Sequence, residues 1–332
     1  MQGTAVVATE RGGVALQEVA LPEPGAEDVV IVVSHSWISN GTERSFILGE
    51  RSAGDTPWRN GDPSPFPHVP GYQKVGIAAW VGERVRGIRP GDWVFGTISA
   101  VSGMAYGTGG HVSPAITHMS QVWRLPADVS PVAVSGAVLT QVGWNAGTRA
   151  PDVDGRDALV IGDGLVGLWS AQTLAARGAS VIVAGRHAGR LEAAVGTVPH
   201  VTPVDTRQED LVAAVRRTAP RGLRVVVDTV GVVDVVYSLL DLMAHDGHIV
   251  SVGFHGERGL IDIQRLRARE LTLHSPSGWT RPRMDATLAA IADGRLRTEE
   301  LVTHHFPVRQ AADAYARVIA RDPDVLGVVL DW

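Results

Sequence analysis

Cysteine is absent from the 332 residues, which excludes disulfides and every thiolate metal site. Lysine is nearly absent too, since Lys74 is the only one among 30 basic residues. The N-terminus reads Met-Gln-Gly-Thr, without the basic segment and apolar core of a secretory leader, and no apolar run approaches the span of a bilayer. No basic stripe or block of like charge suggests a nucleic acid, and a net charge of −5 disfavours an anionic membrane surface. These absences lead to the expectation of a cytosolic protein acting on a small-molecule substrate, with neither nucleic acid nor membrane as partner. With 45% hydrophobic and 20% charged residues the composition is that of an ordinary globular enzyme, and the length suffices for two domains.

What is present centres on Asp157 to Ala171, DALVIGDGLVGLWSA. An apolar run, Ala158 to Ile161, enters a loop with Gly162, Gly164 and Gly167, and Leu165 to Leu174 reads as an amphipathic helix. A strand, a G-x-G-x-x-G turn and a helix form a dinucleotide fingerprint, in which Leu165 and Val166 open the helix whose N-terminus takes the pyrophosphate. A second strand, Ala179 to Ala184, completes the βαβ unit. An NAD site places Asp or Glu about 20 residues after the glycines to hold the ribose 2′-hydroxyl. Here the chain reads Ala184-Gly185-Arg186-His187, with no carboxylate at that place. Arg186 offers a charged fork suited to a 2′-phosphate, Gly185 leaves room for it, and His187 and Arg190 are candidate helpers, so the cofactor expected is NADP.

Before this unit the chain is all β in character. Thr4 to Ala8, Val14 to Val19 and Val29 to Ser34 read as short strands between Gly and Pro turns. The segment Ile38 to Arg44 and a Pro- and Gly-rich stretch from Glu50 to Pro70 read as loops that deliver side chains to one place. Just ahead of the glycine fingerprint, Pro131 to Thr148 reads as one helix capped by Ser130, with Trp144 a candidate substrate wall. Further helices are expected at Leu211 to Arg217, Met284 to Gly294 and Ala311 to Ile319, and a last strand at Val325 to Trp332.

This order resembles the medium-chain dehydrogenase/reductase superfamily, on Pro70-Gly71 with Val75-Gly76, Gly82 with Val85, Pro90-Gly91-Asp92-Trp93-Val94, the glycine fingerprint, VVVDTVG from Val225 to Gly231, GHIVSVG from Gly247 to Gly253, and Gly327 to Leu330. Within it, ISNGTE and PGYQKVG are most similar to the bacteriochlorophyllide dehydrogenase branch and related bacterial alcohol dehydrogenases. The resemblance implies an α/β protein, with a GroES-like β-rich catalytic domain at 1–128 completed by 280–332, and a Rossmann doubly wound parallel-sheet domain at 129–279. It places Thr229, Gly231, Gly253 and Phe254 beside the nicotinamide and makes Leu271 to His274 the edge strand of a homodimer.

Departures from the family pattern bear on chemistry. Zinc-dependent relatives read Cys-Gly-x-Asp where this chain has Asn40-Gly41-Thr42-Glu43, and Gly-His-Glu where it has Gly71-Tyr72-Gln73. Val138 to Thr140, at the third ligand position, offers no sulfur, imidazole or carboxylate, and a catalytic zinc needs three protein ligands. No metal is expected. Charge developing on a carbonyl oxygen would then be met by hydrogen-bond donors: Tyr72 at a lost ligand position, Thr42 where alcohol-oxidising relatives carry a relay hydroxyl, and Asn40. Glu43 is expected to orient their loop. The activity expected is NADPH-dependent interconversion of a ketone and a secondary alcohol. An enoyl or quinone double-bond reductase is the alternative, on Asn40, and a catalytically silent NADPH-binding protein is a third reading.

Overall fold

The computed structural model describes residues 1–54, 56–256 and 259–332. They form two compact units, Met1–Val138 with Val302–Trp332, and Leu139–Leu301.

The first unit is β-rich. Gln2–Glu10 and Gly13–Ala20 pair as an antiparallel hairpin, joined at its edge by Val112–Ser113. A larger sheet runs in the order Val122–Arg124, Trp93–Gly96, Lys74–Val81, Asp28–Trp37, Gly327–Asp331, Val302–Pro307, with Ala115–His118 also pairing Asp28–Trp37. The β-branched run from Val29 to Val33 supplies its middle, where Val29, Ile31 and Val33 are buried and Val32 is exposed. The chain's last strand is a full core member, because Val328, Val329 and Leu330 are buried and Val329 sits opposite Trp37.

Two expectations fail in this unit. The Ile38 to Arg44 segment is no loop, since Asn40–Ile47 is a helix with Ser39 as its N-cap. The Asn-Gly pair reads locally as a turn, but Glu43 reaches back to accept the Ser39 backbone N–H at 2.7 Å and so closes the first turn. The expected single helix from Pro131 to Thr148 is broken into Pro131–Ser135 and Ala137–Thr148. The break falls at Gly136, which lies on the Trp37 ring: a Cβ there would stand 2.8 Å from a ring carbon.

The second unit holds a six-stranded parallel sheet in the order Thr202–Asp205, Ser180–Gly185, Asp157–Ile161, Leu223–Asp228, Met243–Ser251, Thr272–His274. Counted along the chain, that is 3-2-1-4-5-6, the doubly wound order, whose reversal point lies between Asp157–Ile161 and Leu223–Asp228. Leu165–Ala176 is not amphipathic as expected. It is buried on nearly every side from Leu165 to Leu174, and its Ser170 and Thr173 hydroxyls donate to the carbonyls of Val166 and Trp169, at 2.7 Å each.

The single lysine lies in the first unit's core. Lys74 Nζ donates to the Thr97 carbonyl and to Ser99 Oγ, which in turn lies 2.6 Å from Thr117 Oγ1. Burial pushes its ammonium down to about 7 from the ordinary 10.5. Between those values the unfolded chain binds a proton that the folded chain does not. Stability from this group is therefore greatest above the ordinary value, declines as pH falls toward 7, and levels off below it. The unfolding midpoint of the wild type is expected to rise from pH 7 to pH 9 and that of Lys74→Met to be flatter; equal slopes would place the effect elsewhere.

Candidate functional site

In the second unit the C-terminal ends of three central strands meet around glycines. Gly162 N donates to the Ala184 carbonyl at 2.8 Å, and Thr229 Oγ1 donates to the Ile161 carbonyl at 2.8 Å. Gly167 packs on the turn so closely that a Cβ would lie 2.0 Å from the Gly162 carbonyl oxygen. Around Gly164 there is open space, and no side chain caps the helix that starts at Leu165. The helix's positive end, with Leu165 and Val166 in its first turn, thus meets the requirement of a pyrophosphate cradle. Asp228 Oδ1 accepts the backbone N–H groups of Val230 and Gly231 at 2.9 and 3.0 Å, which shapes the loop toward Gly253 and the half-exposed Phe254.

At the end of the second strand the structure corrects the sequence reading. A carboxylate does stand there, supplied by Asp163 from within the glycine loop. Parallel pairing of Ile161 with Ala184 sets the two loops side by side. Gly185 makes room, because a Cβ on it would lie 2.4 Å from the Asp163 side chain. Arg186 is exposed, and among the described residues its guanidinium has no hydrogen bond or ion pair. His187 and Arg190 turn toward Asp163, at 3.0 and 3.9 Å.

The first unit gathers two of the three expected catalytic side chains and one unexpected one. Tyr72 Oη donates to Ser39 Oγ at 2.6 Å, and the Thr42 side chain also hydrogen-bonds to it. Burial pushes the phenol up to about 12, with the Glu43 charge adding to the rise and the Ser39 and Thr42 bonds opposing it. Asn40 faces elsewhere: its amide donates to the Leu326 carbonyl at 2.7 Å, and its Oδ1 is buried without a partner among the described residues. Ser39 was missed by sequence reasoning: the capping-box signal puts a glutamate three residues after the serine, and here Glu43 stands four after it.

Beneath the helix Asn40–Ile47 lies a buried network. Glu43 Oε2 accepts from His111 Nε2 at 2.9 Å and from the Tyr315 hydroxyl, while its Oε1 holds the Ser39 N–H. His111 Nδ1 is 2.8 Å from Ser36 Oγ, which accepts from Trp332 Nε1 at 2.8 Å. Glu43 thus fixes the backbone that carries Ser39, at the start of a helix and not in the loop it was expected to orient. Trp144, in the second unit, lies half-buried with the Arg295 guanidinium 5.3 Å from its ring.

The residues at the zinc positions do not fit the metal. Asn40 offers only a neutral amide oxygen and Tyr72 a phenol held protonated, neither of them the thiolate, imidazole or carboxylate that zinc takes, and Val138, Leu139 and Thr140 add no such ligand.

The family pattern described as zinc-binding dehydrogenase matches residues 166–293, a segment without Asn40, Tyr72 or Val138. A 2-desacetyl-2-hydroxyethyl bacteriochlorophyllide A dehydrogenase of Cereibacter sphaeroides is 30% identical over 100% of this chain and 99% of its own. Among solved structures, a dehydrogenase of Sinorhizobium meliloti 1021 bound to NADP has a TM-score of 0.83 at 21% identity, covering 100% of both chains. An alcohol dehydrogenase of Escherichia coli CFT073 complexed with NADH has a TM-score of 0.83 at 20% identity, covering 100% of this chain and 99% of that one. The latter two show the fold, and it carries either dinucleotide. No helix among the described residues is long and apolar enough to cross a membrane. A GroES-like β unit, a doubly wound sheet with its glycine fingerprint, and a full-length relative at this identity lead to one assignment: the chain belongs to the medium-chain dehydrogenase/reductase superfamily of oxidoreductases, whose cofactor is a nicotinamide dinucleotide.

Proposed function

We propose that this oxidoreductase interconverts a ketone and a secondary alcohol on a small or medium-sized organic substrate, using NADPH and no zinc. The observation that carries the reading is the hydroxyl cluster of Tyr72, Ser39 and Thr42 at a position where zinc-dependent relatives place a metal ligand. When bound, the nicotinamide supplies or accepts the hydride. The chain's own part is electrostatic. The Tyr72 hydroxyl has a single proton, given to Ser39 Oγ in the structure; with substrate bound it turns to the oxygen that becomes negative as the carbonyl carbon is reduced, and Thr42 is the second hydroxyl beside it. The double-bond reading rests on Asn40 as donor, whose amide gives one of its two N–H groups to the Leu326 carbonyl.

In the same reading the first unit handles the substrate oxygen. The second holds the dinucleotide through Gly162, Gly164, Leu165, Val166, Gly167, Gly185, Arg186, His187, Arg190, Thr229, Gly231, Gly253 and Phe254. The protein works in the cytosol, as a homodimer joined through the edge strand Thr272–His274.

Fluorescence titration tests the cofactor assignment. NADPH is expected to bind at least about tenfold tighter than NADH, because a charge-assisted pair from Arg186 contributes roughly 1.5–3 kcal/mol and about 1.4 kcal/mol is a tenfold ratio. Arg186→Ala should remove most of the difference. Equal affinities in the wild type would overturn the NADP assignment.

A further inference from the structure

Asp163 is almost wholly buried, and its contacts are those of a brace. Oδ2 accepts the backbone N–H groups of Arg186 and His187, both at 2.8 Å. The His187 ring, through Nδ1, lies 3.0 Å from both carboxylate oxygens, and Arg190 Nη1 lies 3.9 Å from Oδ1. A carboxylate serving a ribose hydroxyl must keep a lone pair for it. Here Oδ2 is filled by two backbone donors, and Oδ1 faces the imidazole and a guanidinium.

A further cation reaches the same place from the third strand. Thr206 donates to the Gly185 carbonyl through its backbone N–H at 2.8 Å and its hydroxyl at 3.0 Å, which fastens the next residue, Arg207, over the strand end. Arg207 is held by Asp205 through Nε and Nη2 at 3.2 and 3.0 Å, and it feels the charge of Asp163. Asp163 is thus met by His187 and Arg190, Asp205 by Arg207, and the exposed Arg186 stands on the same turn, so that three arginines share this strand end with two aspartates.

We propose that Asp163 is a positioning residue that shapes this strand end into a phosphomonoester pocket for the 2′-phosphate of the dinucleotide, with Arg207 as a cation of that pocket beside Arg186. The proposal rests on the NADPH reading above. By filling the Arg186 and His187 N–H groups, the carboxylate sets the turn so that the Arg186 guanidinium projects outward unpaired. The positioning of these groups outweighs the repulsion between this carboxylate and a phosphate.

Adenosine 2′,5′-bisphosphate and adenosine 5′-monophosphate differ only in the 2′-phosphate, and calorimetric titration of both into the whole protein isolates that group. The wild type is expected to prefer the bisphosphate by about tenfold or more, and Asp163→Ala to lose at least about fivefold of that preference. Asp163→Asn, which is nearly isosteric, and Arg207→Ala are each expected to lose at least about threefold. A preference unchanged or increased in both Asp163 variants, shown folded by their melting curves, would overturn the proposal and leave the NADPH reading standing. Weaker monophosphate binding with the bisphosphate unaffected would also overturn it, since Asp163 would then serve the ribose hydroxyl. A wild type without preference would overturn the NADPH reading itself.

Discussion

Tyr72→Phe is expected to lower turnover of a ketone substrate by about 100- to 1,000-fold, the usual cost of one donor to a developing oxyanion, roughly 2.7–4 kcal/mol. The substitution keeps the ring and removes the hydroxyl that Ser39 and Thr42 hold, so NADPH affinity and the melting temperature should barely move. Because the phenol titrates only near 12, Tyr72 stays a protonated donor throughout the range in which the enzyme can be assayed, and its own ionisation should leave no mark on the pH profile below pH 10. Thr42→Val measures the neighbouring hydroxyl by the same assay. A larger loss there would transfer the donor role to Thr42, and a Tyr72→Phe enzyme that keeps most of its turnover would exclude the phenol from the chemistry.

Glu43→Ala should cost about 3–5 kcal/mol of stability, the typical result of removing one partner from a buried charged network. Three donors lose their acceptor at once: His111 Nε2, the Tyr315 hydroxyl and the Ser39 N–H. Each buried group left unsatisfied costs about 1–3 kcal/mol. Urea unfolding followed by tryptophan fluorescence reads the loss, with Glu10→Ala, at an exposed acid, as the control. Equal midpoints for Glu43→Ala and the wild type would mean that the network holds nothing together.

Local pattern carried the second unit far. The apolar runs at Ala158 to Ile161 and Val225 to Asp228 are strands, and three glycines in the right order mark the turn between strand and helix. What escaped was set by contacts between distant residues. Asp163 meets Arg186 only because two parallel strands align Ile161 with Ala184. The break at Gly136 is imposed by Trp37, and the buried all-round packing of Leu165–Ala176 by the sheet it covers. His111 reads as a scattered histidine, and nothing near it in sequence announces Glu43 or Ser36 as its partners. The catalytic candidates were legible as types of side chain, but their partners were not: the Asn40 amide meets the carbonyl of Leu326, a residue 286 positions away.

The central claim is hydride transfer from NADPH to a carbonyl carbon without zinc. Its most direct test is transfer from NADPH deuterated at the nicotinamide C4, to a panel of ketones and enones, by protein stripped with a strong chelator and assayed for metal. Deuterium is expected on the carbinol carbon, at the rate of untreated protein and with no stoichiometric zinc. Deuterium on the β carbon of an enone, or transfer that returns only when zinc is restored, would contradict it.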